Sequence, residues 1–288
     1  MERLSDNLYS YFYRQPFLTS ILKMNKKVIV ITGSSSGIGE TLANHFVEKG
    51  HTVYGLSRSR KENLKFQHVP TDVTNKENVF QSIQQIINEA GRIDVLINNA
   101  GVGMLGSIED VLKEDLDKLL NVNLYGVIYT MQAVLPYMRK QGFGHILNVS
   151  SIASNHGLPF RGYYSASKSA IDRITESVRL ENHSTGVEII TVNFGDIKTP
   201  IAESRIHSTV SGFYKKNYDK LTKVIDEEVQ HGLPPEKLIP VIERLIGKTN
   251  LKPHYNVGKG IQKFSVTLKR VIGQRRFEKL LARYSKLE

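Results

Sequence analysis

Two short patterns in this chain carry chemistry. Thr32-Gly33-Ser34-Ser35-Ser36-Gly37-Ile38-Gly39 sets three glycines at Gly-x-x-x-Gly-x-Gly spacing directly after an apolar run. Glycines so spaced let a chain turn tightly, bring N–H groups against a phosphate and pack the following helix closely on a strand. Far downstream, Tyr164 and Lys168 stand four residues apart, so on a helix their side chains share one face. A unit charge about 5.5 Å from a phenol, at an effective dielectric of about 20, favours the phenolate by about 3 kcal/mol. That suits the phenol to giving and taking a proton near neutrality. A phosphate cradle and such a phenol together point to nucleotide-dependent redox chemistry.

These residues need elements to position them. Residues 28–32 (Val-Ile-Val-Ile-Thr) form a continuous β-branched run, as expected of a strand buried on both faces of a parallel sheet. The glycine turn follows, and then Ile38, Leu42, Phe46 and Val47 at helical spacing up to a stop at Gly50. The alternation continues with strands at 52–57, 66–69, 95–98, 145–149 and 188–193 and helices at 76–90, 113–141 and 164–184. Residues 201–230 are polar and mixed, with weak helical periodicity, and read as a lid. Pro234 and Pro235 open a further helix to Ile246, residues 255–257 form a last strand, and two helical patterns divided by Gly273 close the chain. The economical architecture is α/β: a Rossmann-like, doubly wound parallel sheet in one domain with a helical C-terminal extension.

The end of the second strand selects between dinucleotides, because a carboxylate there accepts bonds from a ribose 2′-OH and repels a 2′-phosphate. No carboxylate is present. Ser57 and Arg58 occupy that end, with Arg60 and Lys61 close behind, which favours NADP(H) over NAD(H).

Order and spacing of motifs along residues 27–257 resemble the core branch of the short-chain dehydrogenase/reductase family. The matching residues are the 32–39 loop, Asp72-Val73, Asn98-Asn99-Ala100-Gly101, Asn123 in Asn121-Val122-Asn123, Ser150-Ser151, Tyr164 with Lys168, and Thr199 after Gly195. The resemblance implies Tyr164 as general acid/base, Ser151 as hydrogen-bond donor to the substrate oxygen, Lys168 as tuner of the phenol and ribose ligand, and Asn123 as holder of a relay water. Ser151 is preferred to Ser150 because it lies thirteen residues before the tyrosine, as in the family. The implied cofactor-binding set is Gly33, Ser35, Ser36, Gly37, Ile38, Gly39, Ser57, Arg58, Asp72, Val73, Asn99, Ala100, Gly101, Gly195, Ile197 and Thr199, joined by Tyr164 and Lys168. Two departures stand out. Phe194-Gly195 replaces the family's Pro-Gly, and Ser36 stands where many NADP-dependent members have a basic residue, so cofactor preference rests mainly on Arg58.

Among 288 residues there is no cysteine, which excludes disulfides, thiolate metal sites and cysteine nucleophiles and fits a reducing, cytoplasmic setting. No apolar run approaches the roughly 18 to 20 residues needed to cross a bilayer. The nine histidines show no metal-ligand spacing, so no metal is expected. Lys and Arg outnumber Asp and Glu by 39 to 28, and the excess gathers at the C-terminus: residues 248–288 hold eleven basic side chains against two acidic ones, a local +9. The chain divides into an N-terminal extension at 1–25, a catalytic domain at 26–258 and basic amphipathic helices at 259–288. Met24 reads as a natural start; otherwise Leu4, Leu8, Phe12, Phe17, Leu18, Ile21 and Leu22 form an irregular amphipathic arm that packs on the domain or on a membrane surface. His156, between Ser151 and Tyr164, is a candidate for the substrate pocket wall.

These features point to an oxidoreductase interconverting a ketone or aldehyde and an alcohol on a fairly apolar small molecule. A homo-oligomer is plausible by the resemblance, and the basic C-terminal helices are candidates for peripheral membrane contact. Nucleic acid is not expected, since no recognition motif accompanies the charge. The rival reading is a non-catalytic NADP-binding regulator or membrane-peripheral scaffold.

Overall fold

A computed structural model describes residues 26–59 and 62–287. The readings at residues 1–25, Arg60 and Lys61 lie outside them. Seven parallel strands form one sheet: β1 (Val28–Thr32), β2 (Thr52–Ser57), β3 (Gln67–Pro70), β4 (Val95–Asn98), β6 (Gly144–Ser151), β7 (Val187–Phe194) and β9 (His254–Val257). Their order is β3-β2-β1-β4-β6-β7-β9, all parallel, with the order of strand addition reversing between β1 and β4. β5 (Met104–Leu105) and β8 (Ile206–His207) pair separately above it.

The β-branched run of β1 is buried throughout because alternate residues feed two cores. Val28 and Val30 pack with α2 (Lys76–Ala90), α4 (Gly126–Gln141) and α5 (Gly162–Glu181) on one face. Ile29 and Ile31 pack with α1 (Gly37–Glu48) and α7 (Ile239–Ile246) on the other. The Rossmann-like doubly wound architecture read from the sequence is therefore the observed one. Local chemistry sets several boundaries: Asn75 caps α2 by accepting from Asn78 N at 3.0 Å, and Gly91 ends it at φ 75°.

The structure corrects three expectations. The helix expected at 113–141 is α3 (Lys113–Leu120), a π-helical turn (Asn121–Tyr125) and α4. Asn123 sits in that turn with its amide clamped to Val102, and Gly126 closely follows against Val73, where a Cβ would stand 3.1 Å from the valine side chain. The mixed segment 201–230 holds β8 and a well-formed helix, α6 (Gly212–Gln230), which buries Tyr218, Leu221, Ile225 and Val229 along one stripe. Strand β6 runs on to Ser151, because its ladder with β7 continues to the Ser151–Phe194 pair. After β9 come α8 (Gly260–Ile272) and α9 (Gln274–Tyr284). No helix among the described residues is long and apolar enough to cross a membrane.

Three histidines couple this fold to pH. Burial is the main cause that holds His51, His145 and His156 below the ordinary 6.5, with Lys269 adding to the effect at His156. An imidazole of lowered value stays neutral in the folded chain while the unfolded chain takes up the proton. Stability is thus present above pH 6.5 and is lost as pH falls below it. The melting temperature is expected to drop between pH 7.5 and about 5, and His156→Phe to flatten part of that slope. A melt independent of pH across this range would contradict the assignment.

Candidate active site

One cleft of about 820 Å³ lies across the C-terminal ends of β1, β2, β4, β6 and β7. Open α/β sheets bind ligands there, where neighbouring crossovers diverge and the last N–H and C=O groups of the strands face outward. At its left end, Gly33 leaves β1 at φ +67° and donates its N–H to Leu56 O at 2.8 Å. A Cβ on Gly33 would meet Ala100 Cα at 2.8 Å, and one on Gly39 would stand 2.3 Å from Gly33 O. Asn99 ties the turn to the neighbouring strand, donating from Nδ2 to Thr32 O at 3.0 Å and Gly33 O at 3.2 Å. Ser36 caps α1 without a side-chain bond, so the first-turn N–H groups meet the cleft beside Ser35, Gly37 and Ile38. This cradle, with a helix N-terminus behind it, fits a diphosphate.

Beyond it, Ser57 and Arg58 line the cleft at the end of β2. The Ser57 hydroxyl is engaged with Ser59 O at 3.1 Å and His68 Nε2 at 2.9 Å, while Arg58 is exposed. Asp72 and Val73 follow β3. Asp72 Oδ1 accepts from Thr74 N and Thr74 Oγ1 at 2.9 and 2.8 Å, which fixes the loop.

Tyr164 and Lys168 of α5 line the cleft together with Ser151 at the end of β6. Lys168 is 5% exposed and its Nζ donates to Val149 O at 3.0 Å. Among the described residues it has no ion-pair partner. Ser151 Oγ accepts from Ala153 N at 3.1 Å and keeps its own proton to donate. Gly101 crosses the floor, where a Cβ would stand 3.4 Å from Asn123 Oδ1 and 3.5 Å from Lys168 Nζ.

Of the residues singled out from the sequence, Asn123 and Gly39 do not line the cleft. Asn123 is fully buried behind it, its amide accepting from Val102 N at 2.8 Å and donating to Val102 O at 2.9 Å. Gly39 lies beneath the glycine turn. His156 is also absent from the wall: it turns away, with its ring 4.6 Å from Phe277 of α9. Phe194, 4% exposed, joins the far wall and lets Gly195 donate to Val257 O at 2.8 Å. Ile197 and Thr199 complete that end.

Sequence reasoning missed a charged group over Tyr164. Arg161, from the turn before α5, stacks on the Tyr164 ring with its guanidinium 5.3 Å from the centroid. Asp196 and Arg205 line the same region, Arg205 paired with Asp226 at 2.7 Å. Nearby Glu228 is pushed up to about 7, first by burial and then by Asp196, against the opposing charges of Arg161 and Lys259. None of these follows a spacing rule, since loops and a distant helix bring them together.

Known proteins resemble this chain in sequence and in fold. A family model described as short chain dehydrogenase matches residues 27–209. A 3-ketodihydrosphingosine reductase of Bacteroides thetaiotaomicron is 40% identical over 243 residues, covering 83% of this chain and 90% of that protein. An uncharacterised oxidoreductase of Bacillus subtilis is 31% identical over 257 residues, covering 83% and 91%. Among solved structures, a short-chain dehydrogenase from Streptomyces avermitilis superposes with a TM-score of 0.79 at 26% identity, covering 89% of this chain and 97% of that one. ElxO with NADP bound superposes at 0.66 and 26% identity, covering 81% and 97%. On the matched residues and the strand order, this chain belongs to the short-chain dehydrogenase family and is an oxidoreductase of that fold.

Proposed function

We propose that this chain is an NADP(H)-dependent oxidoreductase that interconverts a ketone and an alcohol on a fairly apolar, lipid-like molecule. The observation that carries the reading is the placement of Tyr164, Lys168 and Ser151 in the same cleft as the glycine cradle. The glycine turn and the start of α1 would hold the diphosphate, Arg58 the 2′-phosphate, Asp72 and Val73 the adenine end, Lys168 the ribose, and Gly195, Ile197 and Thr199 the nicotinamide end. When bound, the nicotinamide supplies or accepts the hydride at the carbonyl carbon. In the reducing direction Tyr164 gives its phenolic proton to the carbonyl oxygen as the C–O bond gains charge, and Ser151 donates a hydrogen bond to the same oxygen. Lys168 stabilises the phenolate left behind until a proton returns from solvent. Asn123 acts at one remove, holding Val102 and the floor of the cleft.

Met104, Val149, Phe194, Ile201, Ile206 and Val229 give the substrate end an apolar wall, which suits a long-chain ketone. The related 3-ketodihydrosphingosine reductase supports the same class. Arg58→Ala is expected to weaken NADPH binding about ten- to hundredfold, the value of a charge-assisted contact, with NADH affinity unchanged. Fluorescence titration of both dinucleotides checks it. Equal weakening of both would remove Arg58 as selector, and tight NADPH binding without turnover on any long-chain ketone would favour the non-catalytic reading.

A further inference from the structure

Helix α8 leaves much of its apolar stripe uncovered. A helix lying on a protein body normally turns its apolar stripe inward. Here the polar residues hold the body: Gln262 Nε2 donates to the Asp196 carboxylate, Ser265 Oγ meets His156 Nε2 at 3.3 Å, and Lys269 Nζ donates to Asn155 O at 2.8 Å. Of the apolar residues at 261, 264, 268, 271 and 272, Ile261, Phe264 and Val271 point to solvent while Leu268 and Ile272 are half-buried, and no residue of α8 is fully buried. Ile261 is 74%, Phe264 57% and Val271 77% exposed. In α9, Phe277 turns inward to His156 while Leu280 and Tyr284 remain exposed. Around this apolar surface stand Lys263, Arg270, Arg275, Arg276, Lys279 and Arg283, all exposed and, among the described residues, all without an ion-pair partner.

We propose that α8 and α9 form a docking surface for an anionic lipid bilayer. The apolar stripe enters the boundary between headgroups and acyl chains, and the flanking cations meet the lipid phosphates. Charge decides between occupants. A second copy of this chain across a two-fold axis would set the same cluster of cations against itself. A nucleic acid would satisfy the cations and leave exposed aliphatic side chains without a role. An anionic membrane satisfies both. The surface also begins at the cleft: a Cβ on Gly195 would stand 2.1 Å from Gln262 Oε1, and Gln262 bonds Asp196 of the cleft wall. That a docked bilayer delivers substrate rests on the lipid-ketone reading; the docking itself does not.

The test is co-sedimentation of the full chain with phosphatidylcholine vesicles, plain or containing about one third phosphatidylglycerol. Binding is expected only to the anionic vesicles and is expected to weaken with salt. Phe264→Ser with Val271→Ser, and separately Lys263→Glu with Arg270→Glu, are each expected to weaken it at least about tenfold. All four side chains are exposed, so the melting temperature, dinucleotide affinity and turnover of a soluble ketone are expected to stay at wild-type values, and loss of turnover alone leaves the docking result standing. No sedimentation, equal sedimentation with neutral vesicles, or indifference to both double variants would overturn the proposal. So would a light-scattering dimer split by the apolar variant, or duplex DNA binding of equal strength that the apolar variant leaves untouched.

Discussion

Tyr164→Phe is expected to lower kcat about a thousandfold, within the range for loss of a general acid, while dinucleotide affinity holds. In the proposed reaction the Tyr164 phenol gives a proton to a carbonyl oxygen, and it lines the same cleft as Ser151. Phenylalanine keeps the ring against Arg161 and removes only the proton, so folding and binding are expected to survive. Lys168→Ala is expected to lose both functions, because in the proposed mechanism its buried ammonium, held on Val149 O, serves both the phenolate and the ribose. Steady-state kinetics with a long-chain ketone, beside fluorescence titration of NADPH, separates the two variants. A Tyr164→Phe enzyme keeping more than about a tenth of wild-type kcat would remove the tyrosine from the chemistry.

Gly39→Ala is expected to destabilise the chain by about 3 kcal/mol, at the upper end of overpacking costs, and to weaken dinucleotide binding more than about tenfold. The added methyl would stand 2.3 Å from Gly33 O and 2.6 Å from Asn99 Nδ2. The first of these is backbone pinned by the Gly33 and Asn99 hydrogen bonds, so relief requires moving the cradle itself. Gly212→Ala is the matched control: nothing lies within 4 Å of its Cβ position and its φ is not in the left-handed region, so α6 is expected to gain about 0.4–1 kcal/mol. Thermal melts with and without NADPH read both effects. A Gly39→Ala protein that melts and binds like wild type would show that α1 can shift away from β1 at little cost.

Much of this protein is decided by local sequence. A strand buried on both faces has no polar side to present, so Val28–Thr32 is apolar at every position but its last and is legible as a central parallel strand. Asn75 and Gly91 bracket α2 with a side-chain cap and a left-handed φ that few residue types favour, so its limits are written in the chain. The glycine turn and the four-residue step from Tyr164 to Lys168 are likewise local rules. So is the contrast between Arg58 and a carboxylate at the end of β2. Even the basic surplus after residue 248 is a property of composition.

What the tertiary structure alone decided are the contacts that no spacing encodes. Asn123 reads as a site residue, yet the π-helical turn carries its amide behind the cleft to clamp Val102. His156 lies between two site residues in sequence and faces Phe277 instead of the pocket. Arg161 comes over Tyr164 because a loop ends there, and Glu228 comes within electrostatic reach of Asp196 because α6 folds back over the strand ends. The helical periodicity of residues 261–272 is plain in the sequence, but periodicity only says that an apolar stripe exists. Which way the stripe points is settled by whichever side of the helix finds stronger partners on the body. In α8 the hydrogen bonds of Gln262, Ser265 and Lys269 take that place and leave Ile261, Phe264 and Val271 facing outward.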